Sequence, residues 1–241
     1  MNKQNAIVLK NIHVGYFEHK IFQDFSCEIP SSQMIGIVGA NGSGKSTLLK
    51  AIMGLIPNSS GIIQIFGKSL KEVRNQIAYL PQKDSIDWDF PASVLEVALM
   101  GLYKEFGLFG RITKQHKQKA MSYLEKVGMA DKADKQISEL SGGQQQRVFL
   151  ARAFAQEADL YLFDEPFVGV DVATEKLLID LLKTSVVNEG KTIVMVHHQL
   201  STVPKYFDFL LLLKEGKLVD IGSVEEVFTE VNIQETYQFI K

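Results

Sequence analysis

Gly39-Ala40-Asn41-Gly42-Ser43-Gly44-Lys45-Ser46 sets three glycines, a lysine and a hydroxyl at the spacing G-x-x-x-x-G-K-S. Glycines so placed let a backbone wrap closely round phosphate groups and turn its N–H groups inward. Lys45 supplies a point charge for the outer phosphates, Ser46 a hydroxyl for Mg²⁺, and Thr47 continues the same polar turn. The short apolar run at 34–38 reads as a buried strand, and 46–55 reads as a helix. That strand–loop–helix setting is what the pattern requires, and the chemistry it points to is nucleotide binding.

Two other stretches bear chemistry. Leu160-Tyr161-Leu162-Phe163-Asp164-Glu165 is an apolar strand ending in two carboxylates. Neighbours on a strand face opposite ways, so the acids can take different roles. Asp164 would hold Mg²⁺, usually through water, while Glu165 would orient or deprotonate an attacking water. Taken alone, the acid pair also reads, as the lesser alternative, as a helix start that favours acids. Leu140-Ser141-Gly142-Gly143-Gln144-Gln145-Gln146-Arg147 is a glycine turn running into a good helix former at 148–155. Bare N–H groups and a positive dipole end suit an anion there, although an ordinary turn before a core helix has the same local look.

The elements that must position these residues follow from pattern. Strands are expected at 7–14, 21–29, 61–66, 77–80, 192–196, 209–213 and 217–221, besides the two already named. Helices are expected at 93–102, 114–127, 174–187, 225–228 and 234–240. Between about 89 and 158 the texture is helical, so a strand–helix core is interrupted by an insertion of about 70 residues. The 241 residues are 46% hydrophobic and 22% charged, enough to bury a large core. A net charge of −2 gives no electrostatic reason to expect a nucleic-acid partner. Cys27 is the only cysteine, which excludes an internal disulfide and reads as a small core residue. No apolar run reaches transmembrane length and the polar start lacks a signal-peptide core, so a soluble, cytoplasmic chain is expected.

The phosphate loop, Gln82, the octet 140–147, Asp164-Glu165 and a histidine near 198 occur in the order seen in ATP-binding cassette (ABC) ATPases, and the chain resembles that family over about 7–230. The octet matches the family signature LSGGQ-x-QR without a substitution. The resemblance implies an α/β fold: a P-loop NTPase core (1–88 and 159–224) with an N-terminal antiparallel β region, an inserted mainly helical subdomain (89–158) and a short helical tail (225–241). It implies a head-to-tail homodimer that sandwiches two ATP molecules, each held by the phosphate loop of one chain and by Ser141, Gly142, Gly143 and Gln144 of the other. Tyr16 corresponds to the aromatic that stacks on adenine, though alone it reads as a strand tyrosine. Gln82 would sense Mg²⁺ and water. Asp171 resembles the loop that communicates across the dimer, with helix capping an even alternative locally. Of His197 and His198, alignment on the preceding strand makes His198 the γ-phosphate contact and His197 the replacement for a small hydroxyl residue. Gln199 departs from the Asp usual in the family at the position that makes local hydrogen bonds and dimer contacts. Ser31-Ser32-Gln33 departs from the usual Gly-acid turn and should alter turn geometry only.

Subfamily is read after Gln82, where such ATPases touch a permease. Ser85-Ile86-Asp87-Trp88-Asp89-Phe90-Pro91 closely resembles the S/V-D-W-D-F-P run of ATPases serving manganese, zinc and iron importers, although composition alone reads it as a surface loop anchored by a buried aromatic. Residues 97–101, 165–171 and the histidine pair support the likeness. The implied partners are an integral-membrane permease and an extracytoplasmic metal-binding protein, with this chain at the cytoplasmic face of the membrane. The cargo metal would never touch the chain, so Asp87, Asp89 and the histidines are not expected to ligate it. Alternatives are a cassette serving a non-metal importer, and a soluble cassette with no transport role. The second usually carries two cassettes, a coiled-coil insertion or added domains, none visible here. A nucleotide-dependent regulator without turnover is the other class, against which Glu165 and His198 stand.

Overall fold

The computed structural model describes residues 5–237 apart from 18, 58, 87, 89, 108 and 109. In chain order they form β1 (Asn5–Tyr16), β2 (His19–Pro30), β3 (Met34–Gly39), α1 (Lys45–Ile52), β4 (Ser60–Ile65), α2 (Leu70–Val73) and β5 (Ile77–Leu80). A helical stretch follows, with α3 (Val94–Met100), α4 (Tyr103–Phe106), α5 (Lys114–Lys126) and α6 (Gly142–Ala155). The chain then returns to β6 (Leu160–Asp164), α7 (Val172–Glu189), β7 (Thr192–Val196), α8 (Val203–Tyr206) and β8 (Phe209–Lys214). It finishes with β9 (Lys217–Ser223), α9 (Val224–Val227) and α10 (Glu230–Tyr237).

Two sheets organise these elements. A small antiparallel sheet has the order β2-β1-β4. The larger has the order β5-β6-β7-β3-β8-β9, parallel except for β9. Parallel strands bury both faces, which is why their sequences are nearly continuous apolar runs. Alternation divides them cleanly between two cores. Ile35, Ile37, Leu160, Leu162, Val194, Val196, Leu211 and Leu213 pack toward α1 and the small sheet. Met34, Val38, Tyr161, Phe163, Ile193, Met195, Leu210 and Leu212 pack toward α3, α5, α6 and α7. The larger sheet is thus the middle of three layers. Burying one side chain such as Phe163, 0% exposed, contributes about 1.5–3 kcal/mol. Cys27 is buried in the same way, and its thiol pKa is pushed up to about 12, by burial first and the Glu28 charge second.

The helix expected at 234–240 instead starts at Glu230, and 238–240 lie outside the described residues. The turn before β3 is closed by Ser32, left-handed at φ 56°, whose hydroxyl donates to the Gly190 carbonyl at 3.0 Å. Ser31-Ser32-Gln33 therefore ties into the end of α7, at the opposite end of β3 from the phosphate loop.

Candidate functional site

The phosphate loop hangs from the C-terminal end of β3, which lies between β7 and β8. Two glycines carry its turn, Gly42 at φ 79° and Gly44 at φ 103°, where L side chains are strained. Space is short too: a Cβ on Gly39 would stand 2.3 Å from the Leu213 carbonyl oxygen, and one on Gly44 2.8 Å from the Phe22 ring. The loop is clamped between β2 and β8. Lys45, 7% exposed, curls back so that Nζ donates to the carbonyls of Gly39 (2.8 Å) and Ala40 (2.9 Å). Burial lowers its pKa, opposed by the charges of Glu165 and Asp164. The Ser43 hydroxyl is buried in the loop with no hydrogen-bond partner among the described residues.

Strand alternation explains Asp164. Leu160, Leu162 and Asp164 share the face toward α1, where Ser46 Oγ donates to Asp164 Oδ1 at 2.9 Å. Asp164 is 0% exposed and its Oδ2 has no partner among the described residues. Its pKa is raised by burial first; the Ser46 hydrogen bond pulls it down and the Glu165 charge pushes it up. A buried acceptor oxygen left over beside a hydroxyl is the donor chemistry that a hard divalent cation takes. Glu165 follows at φ 51°, a left-handed backbone that costs about 1–3 kcal/mol for a non-glycine residue and takes it out of the strand.

One cleft of about 440 Å³ brings together Asn41, Gly42, Gly44, Lys45, Ser46, Thr47, Gln82 and Glu165. A hollow of about 250 Å³ shares Glu165 and extends to His197, His198 and the 166–170 turn. The histidines part company there. His197 is buried, its Nε2 2.6 Å from Thr202 Oγ1 and 3.1 Å from the Gln199 carbonyl, and burial drops its pKa to about 4. His198 is exposed beside Glu165. The Gln199 turn is closed by its backbone carbonyl, which accepts from Thr202 Oγ1 at 2.9 Å.

Tyr16, 39% exposed at the end of β1, lines a separate hollow of about 510 Å³ with Phe17, Lys20 and Phe22. That hollow adjoins the cleft at Phe22, the ring that abuts Gly44. Asp171 caps α7: its Oδ1 accepts from the Thr174 N–H at 2.9 Å and Oδ2 from the Thr174 hydroxyl at 2.7 Å. These bonds hold the carboxyl pKa below its ordinary value.

The octet stands apart. Ser141 is the exposed N-cap of α6, its N–H donating to Gln144 Oε1 at 3.1 Å, and none of 140–147 lines the cleft. Its glycines permit close approach by two loops. A Cβ on Gly143 would stand 2.1 Å from the Gly169 carbonyl oxygen, and one on Gly142 2.0 Å from Lys83 Nζ. Sequence reasoning missed Lys83. Trp88 explains its position: the indole N–H donates to the Lys83 carbonyl at 3.0 Å, and the ring meets Phe149 edge-on at 4.9 Å. Phe149 lies seven residues beyond Gly142, two turns along one helix face, a spacing that could have suggested the contact. Asp87 and Asp89, flanking Trp88, lie outside the described residues.

Residues 22–168 match the model of the family described as ABC transporter. The chain is 51% identical to the manganese transport system ATP-binding protein MntB of Bacillus subtilis, covering 96% of this chain and 92% of that one. It is 48% identical to the zinc transport system ATP-binding protein TroB of Treponema pallidum, covering 96% and 86%. The fold aligns with a solved ATP-binding subunit of an ABC transporter at TM-score 0.80 and 24% identity, covering 97% and 96%.

Proposed function

The chain belongs to the ABC transporter family of ATPases, and from that premise we propose that it is the ATP-hydrolysing subunit of a manganese, zinc or iron importer, coupled to a separate permease. The observation that carries the catalytic half is the meeting of Lys45, Ser46 and Glu165 in one cleft, with Asp164 buried behind it on the Ser46 hydroxyl. The cargo class rests on the near full-length likeness to manganese and zinc transport proteins.

Tyr16 would stack on adenine, and the N–H groups of 39–46, with Thr47, would hold the phosphates. Lys45 would exchange the Gly39 and Ala40 carbonyls for phosphate oxygens. Ser46, Asp164 and Gln82 would hold Mg²⁺, a reading supported by Asp164 Oδ2, which has no partner among the described residues. When bound, Mg²⁺ offsets charge on the β- and γ-phosphates. Glu165 takes the proton of the water that attacks the γ-phosphate, while His198 donates to that phosphate. Ser141, Gly142, Gly143 and Gln144 of a second copy complete the site from the far side, with Asp171 at the junction.

Because the octet meets ATP only in the closed pair, ATP favours closure, and hydrolysis releases it. The helical subdomain (89–158) would carry that motion to the permease, and the core (1–88 and 159–224) would hold the nucleotide. Among the described residues no helix is long and apolar enough to cross a membrane, which fits docking at the cytoplasmic face through the permease. The complex would also draw on an extracytoplasmic metal-binding protein.

Vesicles containing the assembled complex test the reading. ATP should drive uptake of radioactive manganese, zinc or iron, and Glu165→Gln should stop it. Native purification that yields no membrane protein with this chain, or cells lacking it with unchanged metal content, would overturn the assignment.

A further inference from the structure

We infer that Lys83 is an additional phosphate-binding residue of the octet half-site, presenting its ammonium to the γ-phosphate of ATP bound by a second copy. The inference rests on the reading that the octet completes the partner's site. Lys83 opens the turn Lys83–Ser85 directly after Gln82, and its Nζ lies so close to Gly142 that no Cβ fits between them. It therefore sits at the first turn of a 14-residue helix with no acid in that turn. A helix start already carries about half a positive charge, so an ammonium there is unfavourable without an anion. None of the ion pairs among the described residues includes Lys83.

Something nevertheless holds it in place. The Trp88 indole N–H fixes the Lys83 carbonyl at 3.0 Å, and the ammonium lies 5.9 Å from the indole centroid. The indole meets the Phe149 ring edge-on at 4.9 Å, and the Phe149 ring carries the Arg152 guanidinium at 4.4 Å. Lys83 is thereby anchored to the same helix that presents Ser141, Gly142 and Gly143. Two positive features with no ion-pair partner among the described residues, at a surface that faces another molecule in the proposed pair, call for a multiply charged anion. The terminal phosphate of a nucleoside triphosphate is that anion, and a compact ammonium can meet it as a point charge.

The test uses the full-length chain in a Glu165→Gln background, where slow hydrolysis preserves the ATP-bound pair. ATP-driven dimerisation is followed by sedimentation, and nucleotide binding to the single chain by a fluorescent ATP analogue. Lys83→Gln should weaken dimerisation about tenfold per site, hence about a hundredfold for two sites, with single-chain binding unchanged within about twofold. Lys83→Arg should recover most of that loss, and the deficit should shrink as salt rises. Emission of Trp88, the only tryptophan, reports whether Lys83→Gln leaves the local packing intact. In the assembled complex with Glu165 restored, Lys83→Gln should lower kcat about tenfold and Lys83→Arg should restore it. Equal turnover of Lys83→Gln and wild type in the complex overturns the inference whatever the isolated chain does. Equal loss in Lys83→Gln and Lys83→Arg overturns it as well, since packing rather than charge would then be at work. Ser141→Arg separates the two levels: dimerisation surviving it removes the octet reading itself. Dimerisation blocked by Ser141→Arg but untouched by Lys83→Gln removes Lys83 alone.

Discussion

The phosphate loop and the octet are both glycine turns that open a helix, yet one is built inward and the other outward. Around the first, Lys45 is 7% exposed, Ser43 3% and Asp164 0%, all held by strands on both sides. Around the second, Ser141 is exposed and the glycines lie against the Gly169 turn and Lys83. A pre-organised, desolvated pocket can bind by itself because its ordering cost is met during folding. An exposed helix start has little to gain until a ligand is carried to it. In the proposed pair, that difference would give binding to one end and the sensing of closure to the other.

That contrast can be broken most sharply at Glu165. Phosphate release by the assembled complex should fall about 10²–10⁴-fold in Glu165→Gln while ATP still binds; unchanged release would remove Glu165 as the base. Lys45→Ala should cost the single chain about a hundredfold or more in ATP affinity by calorimetry, since charged hydrogen bonds to the phosphates are lost. The histidine pair repeats the contrast within two residues. An ordinary His takes up a proton near pH 6.5, but buried His197 does so only at about 4. Between those values the unfolded chain is protonated and the folded chain is not. Stability is therefore complete above about pH 6.5 and falls as pH drops through this window, by about 3 kcal/mol in all. Urea melts of wild type and His197→Gln at pH 7 and 5 check this; identical pH dependence would dismiss the buried-neutral assignment. The smallest effects separate space from backbone. Gly143→Ala should destabilise by about 1–3 kcal/mol because its Cβ meets the Gly169 carbonyl. Gly42→Ala meets nothing within 4 Å and should lose only about 1–2 kcal/mol, to its positive φ. Thermal melts that rank Gly42→Ala as far worse would reverse that account.

The five parallel strands were legible as short apolar runs closed by turn residues, the antiparallel ones by partial alternation between turn residues, and all nine strands of the described residues recur within a few residues of expectation. Of the four-residue helices only α9 was expected; α2, α4 and α8 were missed, since one turn shows no period. The polar Glu230 and Asn232 likewise hid the first turn of α10. At the site, residue types and order could be read, but the register could not. Nothing in the string 160–165 says that Asp164 faces Ser46 or that Glu165 adopts a left-handed backbone. Both follow from which layer each strand face meets. Trp88 was legible as an anchored aromatic, while its seat on Phe149 needed the fold of α6 beside it.

That the octet lies outside its own chain's cleft has a genetic consequence. Two dead copies should rescue one another. In the proposed head-to-tail pair, a Lys45→Ala chain with a Ser141→Arg chain would put both defects in one composite site and leave the other an intact loop and an intact octet. Co-expressed defective alleles should thus recover activity that neither has alone, up to the share of mixed pairs. Two copies of the same defective allele should recover none.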